Sequence, residues 1–255
     1  MKSIFLFILA ILVSSLVYSQ SKEDTTKYAN PSVQKETTVP STHRIGLNVG
    51  GSNPLGEYSE FDENSESSGY ADGGISIGIS YQYNFQDNFA LSVLYSSTAN
   101  KFNAQAFVNQ LSKEQPSVNW QVDADPYTIG CFMVGLKGYI GDEVKAYINP
   151  MFGYGVMTSP HVAITASNGI NTLTQHIRES EPSSSGIFGL SFGIDFLVSD
   201  LISINIDGTY LNSEFEIERV LDTFDPNNGS PQVVRTISDQ PFEVLNFSLG
   251  IGFNF

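Results

Sequence analysis

Leu245-Asn246-Phe247-Ser248-Leu249-Gly250-Ile251-Gly252-Phe253-Asn254-Phe255 alternates without a break between a large apolar residue and a small or polar one. Successive side chains of a β-strand point to opposite faces. The run therefore puts Leu245, Phe247, Leu249, Ile251, Phe253 and Phe255 on one face and only Gly, Ser and Asn on the other. A soluble sandwich or barrel would bury the first face and show the second to water. Small polar residues instead suit the narrow interior of a closed eight-stranded barrel, with the aromatic and aliphatic face turned to lipid. The soluble alternative, a cup lined by the apolar series, stays open at this level.

The same period of two recurs over residues 45–49, 74–85, 89–95, 188–196 and 202–210. Two more strands, over 127–140 and 144–156, are less regular. In the first, Phe132, Val134 and Leu136 take the apolar face, which leaves Tyr127, Ile129 and Met133 pointing the other way. A bulge that re-aims the upper half is expected there. In the second, Pro150 removes a ladder donor. Connections alternate in length: tight turns at Gln86-Asp87-Asn88, Gly141-Asp142-Glu143 and Ser199-Asp200 face long loops over residues 51–73, 97–126, 158–184 and 213–241. The expected fold is all-β, an eight-stranded antiparallel up-and-down transmembrane β-barrel. Its long loops lie outside the cell and both ends of the mature chain in the periplasm. Aromatics gather at both strand ends, with Tyr81, Tyr83, Phe85, Phe89, Phe196, Phe253 and Phe255 near the turns. Tyr95, Tyr154 and Tyr210 lie near the loops.

Residues 1–19 read as a signal peptide: Lys2 precedes an apolar run too short to span a bilayer, and Val17 and Ser19 suit a cleavage site. Residues 20–42 are polar and aperiodic, a disordered periplasmic lead, and residues 43–255 form the outer-membrane β-barrel. The formal net charge of −15 excludes nucleic acid as a partner, because phosphates demand a basic surface. The single cysteine, Cys131, allows no internal disulfide. It belongs to no zinc-binding spacing, so neither metal nor cofactor is expected.

These strands, above all the alternating 245–255 run closing on Phe255, resemble the OmpA/OmpX-type eight-stranded outer-membrane barrels. Gly135-Leu136-Lys137-Gly138-Tyr139 and Asn149-Pro150-Met151-Phe152-Gly153-Tyr154-Gly155 resemble strand segments of that family. The resemblance implies a cell outer membrane location and a last strand, Leu245 to Phe255, read by the outer-membrane insertion machinery. It also implies contact with outer-membrane lipid and lipopolysaccharide, as a monomer. The peptidoglycan-binding extension of that family is not expected here.

Lys137, Lys145, Asp195 and Asp207 all fall on the expected lumen face, and an internal ion-pair network is expected from them. A lipid-facing base would cost about 2–4 kcal/mol at mid-membrane. Lumen filling is the structural reading and a gated ion path the functional one. The first long loop carries Glu57, Glu60, Asp62, Glu63 and Glu66 without a base, but lacks the ordered spacing of a calcium loop. His161 and His176 precede Ser183, Ser184 and Ser185 in the third loop, with no fixed partner that would make a base and nucleophile. His43, Trp120 and Cys131 carry no motif. Glu214, Glu216 and Glu218 alternate with Phe215 and Ile217, which predicts a strand continuing beyond the membrane as a hairpin with residues 233–237. Three functions remain at this stage. One is a non-enzymatic surface or structural barrel with an unknown loop partner, another a narrow channel or carrier for small hydrophobic molecules. The third is a lipid-modifying enzyme.

Overall fold

Alternation translates directly into pairing. The computed structural model describes residues 42–61, 68–141, 144–169, 172–179, 181–224 and 232–255. The proposed signal peptide, nearly all of the lead, and Asp62, Glu63 and Glu66 lie outside the described residues. Among the described residues eleven strands run in chain order. They are β1 (His43–Pro54), β2 (Ala71–Gln86), β3 (Phe89–Phe102), β4 (Asn119–Ala124), β5 (Tyr127–Ile140), β6 (Val144–Thr158), β7 (Val162–Ser167), β8 (Thr172–Glu179), β9 (Ser183–Ser199), β10 (Ile202–Phe224) and β11 (Gln232–Asn254). Two helices, α1 (Gly56–Ser59) and α2 (Ala104–Glu114), sit in the long connections.

Eight strands close a ring in the order β1-β2-β3-β5-β6-β9-β10-β11, with β11 pairing back onto β1. Every ring contact is antiparallel. Closure leaves no unpaired edge around the ring, which lipid requires because it offers the backbone no partner. The 245–255 run makes the seam, from Asn53↔Leu245 to Arg44↔Asn254 on one side and from Tyr210↔Leu245 to Ile202↔Phe253 on the other.

The faces fall as the period requires. Ile75, Ile77 and Ile79 on β2, Phe132 on β5, Phe152 on β6 and Phe247 and Leu249 on β11 are exposed around the outside. Soluble packing would bury these side chains, so their outward display rules out the apolar-lined cup. Tyr81, Tyr83, Phe85 and Phe253 at one end, and Tyr95 and Tyr154 at the other, are also exposed. They form the two interfacial bands of such barrels.

Two expectations are corrected. β5 holds no bulge: its register with β3 is continuous from Phe89↔Gly138 to Asn100↔Tyr127. Tyr127, Ile129 and Met133 point inward because the interior is apolar at that height, and all three are buried. The irregularity lies across from Pro150, where the β5–β6 ladder skips Leu136 and Lys137 while keeping its register; a residue without N–H cannot complete the bond. The long connections, in turn, are built rather than loose. β10 and β11 run 23 residues each, about twice the 9–11 needed to cross a bilayer. Their upper halves pair as a hairpin from Asn212↔Glu243 to Thr223↔Gln232. From this hairpin the sheet continues through β8 and β7 to β4. The hairpin signalled by Glu214, Glu216 and Glu218 is present; β4, β7, β8 and α2 were not foreseen.

Candidate functional site

Two layers fill the barrel. Near the tight turns, Asp195 on β9 receives Arg44 from β1 in a two-pronged contact, Nη1 to Oδ2 at 2.7 Å and Nη2 to Oδ1 at 3.1 Å. Lys137 on β5 reaches the same carboxylate at 3.3 Å. Its ammonium also lies 3.4 Å from the centre of the Tyr147 ring, where the ring face attracts a cation. Asp207 on β10 accepts from Asn205 Nδ2 at 2.7 Å and Thr209 Oγ1 at 3.3 Å. Two cations and two carboxylates thus share one buried layer, surrounded by hydrogen-bonded pairs such as Ser92–Asn149 and Tyr139–Gln82.

The structure therefore brings together Lys137 and Asp195 among the four lumen residues read from the sequence. It places Asp207 in an amide and hydroxyl cradle. Lys145 stands at the rim, 5.7 Å from the Tyr139 ring, with no ion pair to a described residue. Sequence reasoning missed Arg44, although the period that puts Gly46, Asn48 and Gly50 on the inner face of β1 includes it. Its guanidinium crosses the seam strand over Gly252, where a Cβ would stand 2.1 Å from Arg44 Nε. One turn higher, a Cβ at Gly250 would stand 2.0 Å from Asn48 Oδ1 and 2.3 Å from Asn205 Oδ1. The glycines of the seam keep the lumen open enough for side chains from both flanking strands to meet across it.

Above this layer one side of the interior turns apolar. Ile129, Cys131 and Met133 of β5, Met151 and Met157 of β6, Ile187 of β9, Leu211 of β10 and Val244 of β11 form one buried cluster. Tyr58 from α1 closes it from above, edge-on to Tyr127 at 5.2 Å and to Phe242 at 5.3 Å. Phe215 packs against Phe242 at 6.0 Å. The upper half of the inner face is thus apolar along β5, β6, β9 and β10 but stays polar along β1, β2 and β3, where Ser52, Ser76, Thr98 and Asn100 are buried and hydrogen-bonded.

Glu57 and Glu60 flank this stopper at α1, and Glu60 N–H donates to Glu57 O. His161 and His176 meet on the outer surface, rings stacked 5.3 Å apart and Nδ1 of His176 3.2 Å from Nε2 of His161. Among the described residues the serines named for this loop turn elsewhere: the Ser183 hydroxyl lies 2.7 Å from both Glu179 Oε1 and the Glu216 carbonyl, and Ser185 donates to the Gly186 carbonyl. Among the described residues no group of three or more His, Cys, Asp or Glu could hold a metal ion.

Over the stopper, α2, β7, β8 and the upper β10–β11 hairpin enclose a cavity of about 420 Å³. Asn103 caps α2 by accepting from Ala106 N–H at 2.9 Å, a favoured cap residue. The helix then presents Phe107, Gln110 and Leu111 to the cavity.

A closed ring, interfacial aromatic bands and an apolar outer wall are now in place, and a family model describes the same object. The model for the outer membrane protein beta-barrel domain matches residues 11–255. The chain belongs to this family. Its cell outer membrane location follows, and the short turns then face the periplasm while the β10–β11 hairpin stands outside the cell. No curated protein matches the sequence. Among solved structures, Neisserial surface protein A is similar at 11% identity and TM-score 0.46, over 84% of this chain and 98% of that one. The attachment invasion locus protein Ail of Yersinia pestis is similar at 14% identity and TM-score 0.42, over 84% and 99%. A major outer membrane protein of Thermus thermophilus is similar at 11% identity and TM-score 0.47, again over 84% and 99%.

Proposed function

We propose that this member of the family is a non-enzymatic surface protein, a solid barrel that anchors a rigid sheet outside the cell. The observation that carries the reading is the doubly filled lumen. A water-conducting path would have to pass both the Arg44–Lys137–Asp195 layer and the Met133–Met151–Leu211 layer, and it would then meet the ring of Tyr58. What the barrel supports instead is the extracellular sheet β11-β10-β8-β7-β4, continuous with the membrane-spanning strands through β10. Continuity of the ladder holds that sheet at a fixed angle to the membrane, which suits presentation of a surface to a partner. A ring without an open edge supports a monomer surrounded by outer-membrane lipid and lipopolysaccharide. The closing strand from Leu245 to Phe255 is the segment offered to the insertion machinery.

Planar-bilayer recordings and liposome swelling test the reading on refolded protein. The expected result is no stepwise conductance and no swelling with small sugars or amino acids. Reproducible conductance steps would replace it with the channel reading.

A further inference from the structure

The extracellular cavity has a chemistry of its own. Its wall is mostly aromatic and aliphatic, with Tyr70, Phe102, Phe107, Leu111, Val162 and Ile177, and it also carries the carboxylates of Glu114 and Glu179. Into it faces Arg219 of β10, half-buried and opposite Glu179 of β8 in the ladder. That carboxylate also lines the cavity, where Oε2 accepts from Ser159 N–H and Oε1 from the Ser183 hydroxyl, each at 2.7 Å, and it makes no ion pair with Arg219. Arg219 makes a single hydrogen bond, from Nη2 to Gln240 Oε1 at 2.7 Å, and no ion pair among the described residues. Arg178, by contrast, is neutralised by Asp222 at 3.1 Å. The buried Ser159 hydroxyl, also in the lining, has no partner among the described residues. Tyr70 adds a third sign: it holds a backbone φ of 51°, which a bulky residue adopts only under constraint. There its phenol is tied to Gln110 of α2.

A half-buried guanidinium with one neutral hydrogen-bond partner has donors left over for an anion. Its planar fork matches a carboxylate in two parallel hydrogen bonds. A pocket of this volume lies in the range used for small organic ligands, mostly apolar with a few placed polar groups. We propose that the cavity binds a small water-borne amphipathic anion, its carboxylate on Arg219 and its apolar body against Phe102, Phe107 and Leu111. A free solute is favoured over a lipid head group because Arg219 lies about 30 Å along β10 from Tyr210 in the outer aromatic band, at roughly 3.3 Å per residue. The proposal rests on the reading of the extracellular sheet as the working surface.

The test uses full-length protein in lipid nanodiscs, with 4-phenylbutyrate and its uncharged analogue 4-phenylbutanol as probes. Binding is followed by saturation-transfer NMR and calorimetry. The acid is expected to bind more tightly than the alcohol by roughly tenfold or more, the contribution of a charge-assisted bond. Arg219→Met should remove that preference and leave weak, equal binding, while Arg219→Lys keeps part of it. Leu111→Trp, which fills the cavity from the α2 side, should abolish binding of both probes and guards against misfolding of the Arg219 variants. Equal affinity for acid and alcohol in the native protein, binding that survives Leu111→Trp, or no binding at all would overturn the proposal. A barrel that conducts in the bilayer experiment would overturn the solid-lumen reading without changing this titration.

Discussion

Arg44 on β1 and Asp195 on β9 have two strands, β10 and β11, between them and meet over the seam, with both guanidinium–carboxylate bonds within 3.1 Å. Asp195 is also the only partner that Lys137 shares an ion pair with among the described residues. The carboxylate is therefore the hub, and removal of it is expected to cost more than removal of either base. Asp195→Ala strands two buried cations, for which loss of one partner already costs about 3–5 kcal/mol. Arg44→Ala leaves Lys137 in place to neutralise Asp195 and should cost less. Equilibrium unfolding in urea from lipid vesicles orders the variants; an Arg44→Ala loss equal to that of Asp195→Ala would refute the hub.

The seam glycines give a second test. At Gly252 a Cβ would stand 2.1 Å from Arg44 Nε and 2.6 Å from Ser203 Oγ. At Gly51, which faces outward on β1, the nearest atom would be 4.0 Å away. Overfilling a packed interior costs typically about 1–3 kcal/mol. Gly252→Val should therefore lose stability on that order and displace Arg44, while Gly51→Val should stay within about 0.5 kcal/mol of the parent, as for ordinary surface changes. Heat-modifiable gel migration, with the melting temperature read from the folded band, separates the two. Equal melting temperatures would mean that Arg44 does not lie over the seam.

What the sequence disclosed follows from which forces act within one strand. The outer wall was legible because lipid imposes one rule on each lipid-facing residue, and so period two runs unbroken through residues 245–255. The inner wall obeys no such uniform rule. Met133 and Ile129 looked misplaced on β5 because their partners, Met151 and Ile187, come from other strands and the apolar layer exists only once the ring closes. Lys137 and Asp195 were legible as lumen charges. Arg44 was not, because it stands beside the polar lead and its carboxylate is 151 residues away. In the third loop β7 and β8 are short and pair with each other, with β4 and with β10, so little alternation marks them. The α2 segment did carry a helical signal, the Asn103 cap followed by Phe107 and Leu111 four apart, which a reading tuned to period two passes over.

Tyr58 shows a different balance. Its ring is fully buried between Tyr127 and Phe242, and its hydroxyl has no partner among the described residues. Removing an unsatisfied hydroxyl costs nothing in hydrogen bonds and relieves its desolvation. Tyr58→Phe should thus be neutral or stabilising, while Tyr58→Ala should cost about 3–5 kcal/mol through the void it leaves. Burial pushes the phenol well above its ordinary value of 10.0. The neutral form is then favoured by folding, so its contribution is complete below that value and falls as the pH rises above it. The difference in stability between the native protein and Tyr58→Phe should be flat at neutral pH and widen in favour of the variant in alkali. A difference that is unchanged up to the limit of measurement would mean that the phenol is open to water.

The β10–β11 hairpin decides whether the membrane barrel and the extracellular sheet are separable. Below Ile217↔Ser238 the two strands still contribute Phe215, Leu211, Phe242 and Val244 to the stopper. Above it they carry β8, and through β8 the rest of the outer sheet. Replacing the chain between residues 217 and 238 with a two-residue Asn-Gly turn should therefore leave the ring, its seam and its ion layer intact, since tight hairpins accept such turns. The shortened protein is expected to reach the outer membrane and to keep its heat-modifiable migration. It should lose protection from external protease over β7 and β8, because among the described residues their ladder pairing to the ring runs through β10. Amide exchange reads the same division, with slow exchange retained for residues 203–211 and fast exchange for residues 162–179. A truncated chain that failed to insert would show that the extracellular sheet is part of the barrel's folding unit rather than a structure mounted on it.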